Sequence, residues 1–338
     1  MPEATSDLEQ RIIGLLSKDE PPNAIVRLAG DASNRSFFRV FYRNGSSAVV
    51  MAYQDAGPGD DDIFLEIQRF LSNLGLPVPA VYARHAEEAI VVLEDLGDDL
   101  LETVAQRSDE TQVAELYKQA VDLLLTMRQA TMNLNSGCRA FQLAFDEEKL
   151  MQEMAFFMVH FVRGLCRNEP PSSALADLNR FFTKICATLA SEPRIFTHRD
   201  YHARNLILQG DRLVMIDFQD ARMGPAQYDL ASLLRDSYVT LPEGLVDDLV
   251  DYYAEAAGNK SQESRQRFRY IFDVMSLQRN IKALGTFGYQ ASTRGERRYL
   301  QSVSRTGGYI ARNIAKYKEF ASLRSVVEDV ICSPAALF

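Results

Sequence analysis

The segment HRDYHARN at residues 198–205 is followed, twelve residues after Asn205, by Asp217 in the segment IDFQD at 216–220. An Asp placed five positions before an Asn, with a second Asp beyond it, is the spacing with which a catalytic loop accepts a hydroxyl proton and binds a metal ion. A phosphoryl group in transfer spreads negative charge over its oxygens, so it needs positioning and cationic compensation. The two segments therefore predict phosphoryl transfer from a nucleotide.

Each residue of this motif has a predicted role that follows from its charge. Asn205 and Asp217 are the expected metal ligands, because Mg²⁺ prefers amide and carboxylate oxygens. Asp200 is expected to orient the acceptor hydroxyl and to take its proton. His198 matches a scaffold position, so we expect it to hold the loop through hydrogen bonds, whereas His202 has no assigned role.

The sequence around the motif favours this interpretation over a chance grouping of polar residues in a solvated loop. Three short apolar runs, 194–197, 206–208 and 213–216, have the character of strands, and a Gln-Gly-Asp turn at 209–211 joins the last two. The order strand, loop, strand, turn, strand and then Asp217 is that of a catalytic segment.

The first hundred residues are predicted to form a small antiparallel sheet with one helix. Strands are expected at 37–42 and 47–53 around an Asn-Gly turn at 43–46, and at 78–83 and 89–93. Apolar residues at helical spacing predict a helix from Ile63 that ends before Gly75. The rest is predicted to be mostly helical, with helices at 111–130, 146–166 and 173–190 and a run of helices from residue 228 onward.

Two stretches of this first region are candidates for nucleotide binding. The polar segment 30–36 contains Ser33, Asn34 and Arg35, which could bring backbone N–H groups and hydroxyls to phosphates; an ordinary turn is the alternative. The segment 94–97 follows a predicted strand, so backbone groups near Glu94 and Leu96 could hold an adenine edge.

The region lacks the cation that kinases usually place on the third strand. Between residues 1 and 117 the only Lys is Lys18, and residues 48–53 carry no charge. Arg39 on the preceding strand is a candidate phosphate contact, with an exposed strand charge as the alternative. Because this cation is missing, a protein that binds nucleotide without transferring its phosphate is an alternative. The complete catalytic motif argues against that alternative.

Composition and charge limit the class of protein. The 338 residues are 46% hydrophobic and 25% charged, which is typical of a globular protein with room for two domains, predicted at 1–96 and 97–338. The acidic start predicts no targeting peptide, no apolar run is long enough to span a membrane, and the four Cys residues lack CxxC spacing. We therefore expect a cytoplasmic protein with reduced thiols. A net charge of −9 without interleaved aromatic and basic residues argues against a nucleic-acid partner, and the oligomeric state is not indicated.

One part of the chain is basic. Residues 261–318 hold twelve Lys or Arg against three acidic residues, which suits a neutral or carboxylate-bearing sugar better than a polycationic antibiotic. Arg279 and Lys282 are the expected acceptor contacts, and most of the other cations are expected on solvated helix faces. Asp229 is expected to cap a helix, with bracing of the catalytic loop as the alternative.

The motifs HRDYHARN, IDFQD and GPAQYDLASLLRD at 224–236 resemble those of the aminoglycoside phosphotransferase-like kinases, over nearly the whole chain. GDAS at 30–33, FRV at 38–40, Gln219 and LQRNIKALG at 277–285 resemble the branch that phosphorylates N-acetylmuramate and N-acetylglucosamine in cell-wall recycling. The resemblance implies an α+β, two-lobed, protein-kinase-like fold with a small antiparallel-sheet N-lobe and a larger, mostly helical C-lobe. It also implies ATP, Mg²⁺ and an amino sugar phosphorylated at its anomeric hydroxyl to give the sugar 1-phosphate for peptidoglycan recycling. Kinases of aminoglycosides or choline-like acceptors remain the alternative.

Overall fold

A computed structural model describes residues 7–16, 21–28, 35–53, 62–134 and 136–323. The chain divides into two compact units, of which the first comprises Met1–Asp99 together with Ile207–Gln219. The second comprises Leu100–Leu206 and Asp220–Phe338. The chain therefore returns to the first unit for one short segment in the middle of the second.

A five-stranded antiparallel sheet in the first unit has the strand order β1-β2-β3-β5-β4. Phe38 pairs with Val50, which pairs with Val92, and all three are buried. Because side chains alternate between the faces of a strand, they share one face, where Ile12 and Leu15 of helix α1 (Asp7–Leu16) complete a hydrophobic cluster. The strands are β1 (Pro22–Arg27), β2 (Arg35–Tyr42), β3 (Ser47–Tyr53), β4 (Val81–His85) and β5 (Ile90–Glu94).

The turn between β2 and β3 forms where the sequence predicts it. Gly45 has a φ of +84°, a conformation that a residue without a side chain adopts at low cost, and Asn44 accepts a hydrogen bond from the Ser46 N–H at 2.8 Å. The predicted hairpin is thus confirmed.

Two helices occur in the described part of the first unit, so the prediction of a single helix is wrong. Helix α2 (Ile63–Asn73) is the predicted one: Asp62 caps its first turn by accepting from the Leu65 N–H at 3.0 Å, and the chain turns at Gly75 with a φ of +73°. Helix α1 was not predicted, although its apolar residues recur at helical spacing.

The returning segment forms the hairpin of β7 (Leu206–Gln209) and β8 (Arg212–Met215), as the sequence predicts. Backbone hydrogen bonds fix it within the first unit, from the Leu208 N–H to the Asp99 carbonyl at 2.8 Å and from the Met215 N–H to the Pro77 carbonyl at 2.9 Å. The ring of Phe218 stacks on Phe64 of α2 at 5.2 Å between centroids.

The described part of the second unit is mainly helical. Helix α9 is its longest element, and it packs against α5, α6, α7, α8 and α10. The helices are α3 (Leu101–Arg107), α4 (Glu110–Thr131), α5 (Glu147–Phe157), α6 (Ser172–Ala190), α7 (Tyr228–Leu234), α8 (Glu243–Ala256), α9 (Gln262–Thr293) and α10 (Val303–Lys316). Across the described ranges, no helix combines the length and apolar character needed to cross a membrane.

Helix α5 continues into a π-helix, Met158–Leu165, which contacts α9 closely. A Cβ atom on Gly288 of α9 would lie 2.5 Å from the carbonyl oxygen of His160. Glycine at this position therefore permits the approach of the two helices.

A two-stranded antiparallel ladder positions the catalytic segment. Strand β6 (Arg194–Thr197) pairs with β9 (Arg222–Pro225), and Thr197 lies opposite Arg222. The sequence predicts β6, but β9 was not predicted. The ladder brings the loop that follows β6 beside helix α7, which follows β9.

Candidate active site

Asp229 in the first turn of α7 holds the start of the catalytic loop. Its carboxylate accepts the backbone N–H of His198 at 2.7 Å and that of Arg199 at 3.0 Å. The N-cap of α7 is Gln227, so the carboxylate of Asp229 serves the loop rather than the helix end. Burial raises the pKa of Asp229 to about 7, although the two backbone N–H groups act in the opposite direction.

Arg199 occupies a backbone conformation that is rare for residues with a side chain, with a φ of +80°. Asp229 binds its N–H, and Arg279 of α9 donates to its carbonyl oxygen at 2.7 Å. Its guanidinium forms an ion pair with Asp220. Such a conformation persists only where the surrounding contacts hold it. The conformation of Arg199 in turn determines the direction in which the side chain of the next residue, Asp200, projects.

Cations surround the carboxylate of Asp200. Lys282 Nζ lies 2.9 Å from Asp200 Oδ1, and Arg279 Nη1 lies 3.6 Å from the same oxygen. Burial opposes ionisation, but Lys282, Arg199 and Arg279 outweigh it and hold the pKa of Asp200 well below its usual range. Burial also lowers the pKa of Lys282. Asp200 is therefore ionised at neutral pH. The two residues that the sequence assigns to the acceptor both lie beside it.

The loop ends in a short 3₁₀ helix, Ala203–Asn205. The amide side chain of Asn205 points back into the loop. Asn205 Nδ2 donates to the carbonyl oxygen of Asp200 at 2.9 Å. Because the amide nitrogen is used in this way, the carbonyl oxygen Oδ1 is the atom of Asn205 suited to a metal ion.

His198 is buried, whereas His202 is half-buried. His198 is 1% exposed, and its ring lies edge-on to Tyr201 with 5.6 Å between centroids. Burial lowers the pKa of His202 to about 3, so its ring is neutral at physiological pH. His202 also lies edge-on to Tyr238, with 5.5 Å between the ring centroids.

Asp217 belongs to the first unit and lies two residues after the end of β8. Its φ is +63°, a left-handed conformation that Asp tolerates better than most residues. Gln219 Nε2 donates to Asp217 Oδ1 at 2.6 Å. The backbone conformation at Asp217 thus sets where its side chain points, and the amide of Gln219 orients the carboxylate.

A cavity of about 110 Å³ opens beside Asp200 within the second unit. One face of α9 forms a wall, because residues three, four and seven positions apart lie on the same side of a helix. The segment after α7 provides another wall, with Asp236 and Tyr238. The lining residues are Asp200, His202, Ala231, Ser232, Arg235, Asp236, Ser237, Tyr238, Arg279, Asn280, Lys282, Ala283, Thr286 and Phe287.

The candidate nucleotide contacts have mixed positions in the first unit. Ser33 and Asn34 lie outside the described residues. Arg35 on β2 lies over the ring of Phe64, with its guanidinium carbon 5.7 Å from the centroid. The carboxylate of Glu94 accepts the Ala80 N–H at 3.1 Å. Leu96 is buried.

Arg39 is engaged by the chain that follows β5. Its guanidinium binds both carboxylate oxygens of Asp98, at 2.6 and 2.9 Å, and its Nε lies 2.9 Å from Asp95. Its side chain is only 13% exposed, so it differs from a solvated strand charge. A phosphate contact by Arg39 would have to replace these ion pairs, and that role stays a prediction.

Most other cations of the basic region pair with acidic side chains on the surface. Arg269 binds Asp247 and Asp251, and Arg312 binds Glu243. This arrangement matches solvated, paired helix faces. It separates Arg279 and Lys282, which line the cavity, from the rest.

Asp236 and Asn280 are among the polar cavity residues to which the sequence analysis assigned no role in the site. Asp236 is buried and accepts the N–H groups of Ala203 and Tyr238, at 2.9 and 2.8 Å. Burial raises the pKa of Asp236 to about 7. Asn280 is 2% exposed. Its position three residues after Leu277, on the apolar side of α9, was a signal that a buried polar side chain would lie there.

The second unit alone presents an ordered catalytic loop with an ionised Asp beside a cavity, which is the arrangement of a kinase-type phosphotransferase. The chain belongs to the phosphotransferase enzyme family, whose family model matches residues 24–268.

Curated relatives extend this similarity over most of the chain. The N-acetylmuramate/N-acetylglucosamine kinase of Pseudomonas aeruginosa is 30% identical over 315 residues, which is 92% of this chain and 89% of the relative. The kinase of the same name from Neisseria meningitidis is 30% identical over 90% of this chain and 89% of its own length.

Solved structures share the fold at low sequence identity. A choline kinase from Cryptosporidium parvum has a TM-score of 0.65 at 13% identity and covers 94% of this chain and 99% of its own. The ADP-bound aminoglycoside phosphotransferase APH(2'')-Ib has a TM-score of 0.60 at 17% identity, with 88% of this chain and 96% of its own covered. The predicted α+β, kinase-like fold is confirmed.

Proposed function

We propose that this protein transfers the γ-phosphoryl group of ATP, with Mg²⁺, to the anomeric hydroxyl of N-acetylmuramate or N-acetylglucosamine. The observation that carries the proposal is the contact of 2.9 Å between Lys282 Nζ and Asp200 Oδ1 at the wall of a cavity. It combines an ionised acceptor-orienting carboxylate with a space for a small molecule.

Asp200 acts on the acceptor hydroxyl as an ionised carboxylate. Its low pKa makes it a weak base, so it first orients the hydroxyl through a hydrogen bond and takes the proton late, as the bond to phosphorus forms. A hemiacetal hydroxyl is more acidic than an ordinary alcohol and therefore suits a weak base. This chemistry supports the anomeric position.

Asn205 in the second unit and Asp217 in the first each offer a side-chain oxygen of the kind that Mg²⁺ prefers. The described part of the chain has no group of three or more His, Cys, Asp and Glu side chains able to form a metal cage. Mg²⁺ usually binds through only one or two protein carboxylates together with water and nucleotide phosphates, so it needs no such cage. When bound, the ion would neutralise charge on the phosphate oxygens.

The charges of the cavity support a neutral or anionic acceptor. Arg279 and Lys282 already satisfy Asp200, so a polycationic antibiotic would find little uncompensated negative charge beside it. The lactyl carboxylate of N-acetylmuramate would instead approach a group in which the two cations outnumber the one carboxylate of Asp200. The names of the similar kinases from Pseudomonas aeruginosa and Neisseria meningitidis support the same acceptors.

A panel of acceptors with γ-labelled ATP tests the proposal. We expect the purified protein to label N-acetylmuramate or N-acetylglucosamine as a phosphate that is stable to alkali and labile to acid, as a sugar 1-phosphate is. Labelling of kanamycin or choline alone would move the protein to another acceptor class. Nucleotide binding without labelling of any acceptor would support the non-catalytic alternative.

A further inference from the structure

We infer that Asn280 of α9 is the residue that recognises the acetamido group of the acceptor. This inference rests on the proposed function and adds a specificity-determining contact to it. It starts from an observation that the catalytic roles leave unexplained: the side-chain nitrogen of Asn280 is buried and has no hydrogen-bond partner among the described residues.

A buried donor without a partner costs free energy, so folded proteins rarely retain one unless a ligand or water completes it. Asn280 is 98% buried by residue surface, as its 2% exposure implies, and it lines the cavity beside Asp200. The missing partner is therefore an acceptor atom that enters this cavity.

The neighbours of Asn280 indicate the chemical group that carries this atom. Ala283 and Phe287 lie on the same face of α9, and Ala231 of α7 also lines the cavity. These apolar side chains can enclose a methyl group. An acetamido group has both parts, since its carbonyl oxygen accepts a hydrogen bond and its methyl group is apolar.

The need for both a hydrogen-bond acceptor and an apolar group explains which sugars this site would reject. The ammonium group of glucosamine has only donors, so it cannot satisfy the Asn280 N–H group. The 2-hydroxyl of glucose can accept a hydrogen bond but leaves the apolar walls unfilled. Sites built to hydrogen-bond a substrate group discriminate strongly against analogues that lack it.

The test compares Asn280→Ala with the wild type, using N-acetylglucosamine and glucose as acceptors. We expect the ratio of kcat/KM for N-acetylglucosamine to that for glucose to fall about tenfold or more, while KM for ATP stays unchanged. Asn280→Ser, which keeps a small donor, should retain part of the preference and serves if the Ala variant does not fold.

Asn313→Ala is the matched control. Asn313 is also 2% exposed, but it lies on α10 and its Nδ2 donates to the carbonyl oxygen of Asp273 at 3.2 Å. We expect this variant to lose stability and to keep the wild-type ratio. An equal fall in the ratio for Asn313→Ala, or an unchanged ratio in folded Asn280→Ala, would overturn the inference.

Calorimetric titration of each sugar separates this inference from the proposed function. If the wild type transfers no phosphate to either sugar, the proposed function fails, but tighter binding of N-acetylglucosamine than glucose that Asn280→Ala abolishes would still support the contact. Equal affinity of the wild type for both sugars would overturn it.

Discussion

Single carboxylates determine the shape and charge of the catalytic loop. Asp229 binds two consecutive backbone N–H groups, and Asp200 is held ionised by three nearby cations. The two carboxylates are thus placed in opposite environments, one where burial dominates and one where positive charge dominates.

Asp229 gives a pH dependence of stability whose sign can be worked out. Its pKa of about 7 in the folded protein lies above that of an Asp in an unfolded chain, about 4, so the folded state binds the proton more tightly between these values. The stabilisation is present at low pH and is lost as the pH rises to 7. In Asp229→Asn, we expect the loss of unfolding free energy between pH 5 and pH 8 to be smaller by about 2 kcal/mol.

Denaturant unfolding at the two pH values measures this difference. Asp211→Asn, which removes an exposed carboxylate from a turn, is the control and should keep the wild-type dependence. An equal pH dependence in Asp229→Asn and the wild type would contradict the assignment.

At this scale, the sequence was sufficient where a residue type at fixed spacing carries the chemistry, as for Asp200 and Asn205. It could not show what binds Arg39, because the partner carboxylates of Asp95 and Asp98 are more than fifty residues away in the chain. Long-range partners depend on strand pairing and on the path of the chain after β5.

Among the elements, helix α9 connects stability with the candidate site. It carries Arg279, Asn280 and Lys282 on the cavity side, and it approaches the end of α5 at Gly285 and the π-helix at Gly288. The position of the acceptor-facing residues therefore depends on close packing between helices.

Gly288→Ala tests this packing. The added Cβ would lie 2.5 Å from the His160 carbonyl oxygen and 2.6 Å from Phe161 Cα, contacts that require backbone movement. Overpacking costs about 1–3 kcal/mol and outweighs the roughly 1 kcal/mol by which Ala favours a helix. We expect a lower melting temperature, measured by circular dichroism.

Gly308→Ala on α10 is the matched control, because a Cβ there would meet nothing within 4 Å. It should keep or raise the melting temperature by the helix preference of Ala alone. A Gly288→Ala protein as stable as Gly308→Ala would show that α9 and the π-helix can separate without cost.

Elements with strong local signals were predictable, and those defined by distant partners were not. The β2–β3 hairpin has an Asn-Gly turn, and α2 has a capping Asp and a terminating Gly. Strand β9 has no apolar alternation and exists because β6 pairs with it. The π-helix Met158–Leu165 continues a predicted helix, and no local residue pattern distinguished its wider turns from α-helical ones.

In the molecule as a whole, the two compact units are not consecutive in sequence, because each is built from two separate segments of the chain. The first unit includes residues 207–219, which the sequence placed with the catalytic segment of the second domain. Whether 1–96 and 97–338 behave as domains stays a prediction. The motif-based assignment of the family was possible because its residues are local in sequence, whereas the cavity is formed by residues from 200 to 287 and could not be seen in advance.

The rate of phosphate transfer by Asp200→Asn tests the central claim most directly. The substitution keeps the size of the side chain and removes its charge. With N-acetylglucosamine and γ-labelled ATP, we predict that transfer falls by about a hundredfold or more, while binding of ATP is retained. Transfer near the wild-type rate would contradict the account, because the hydroxyl would then be activated by some other group.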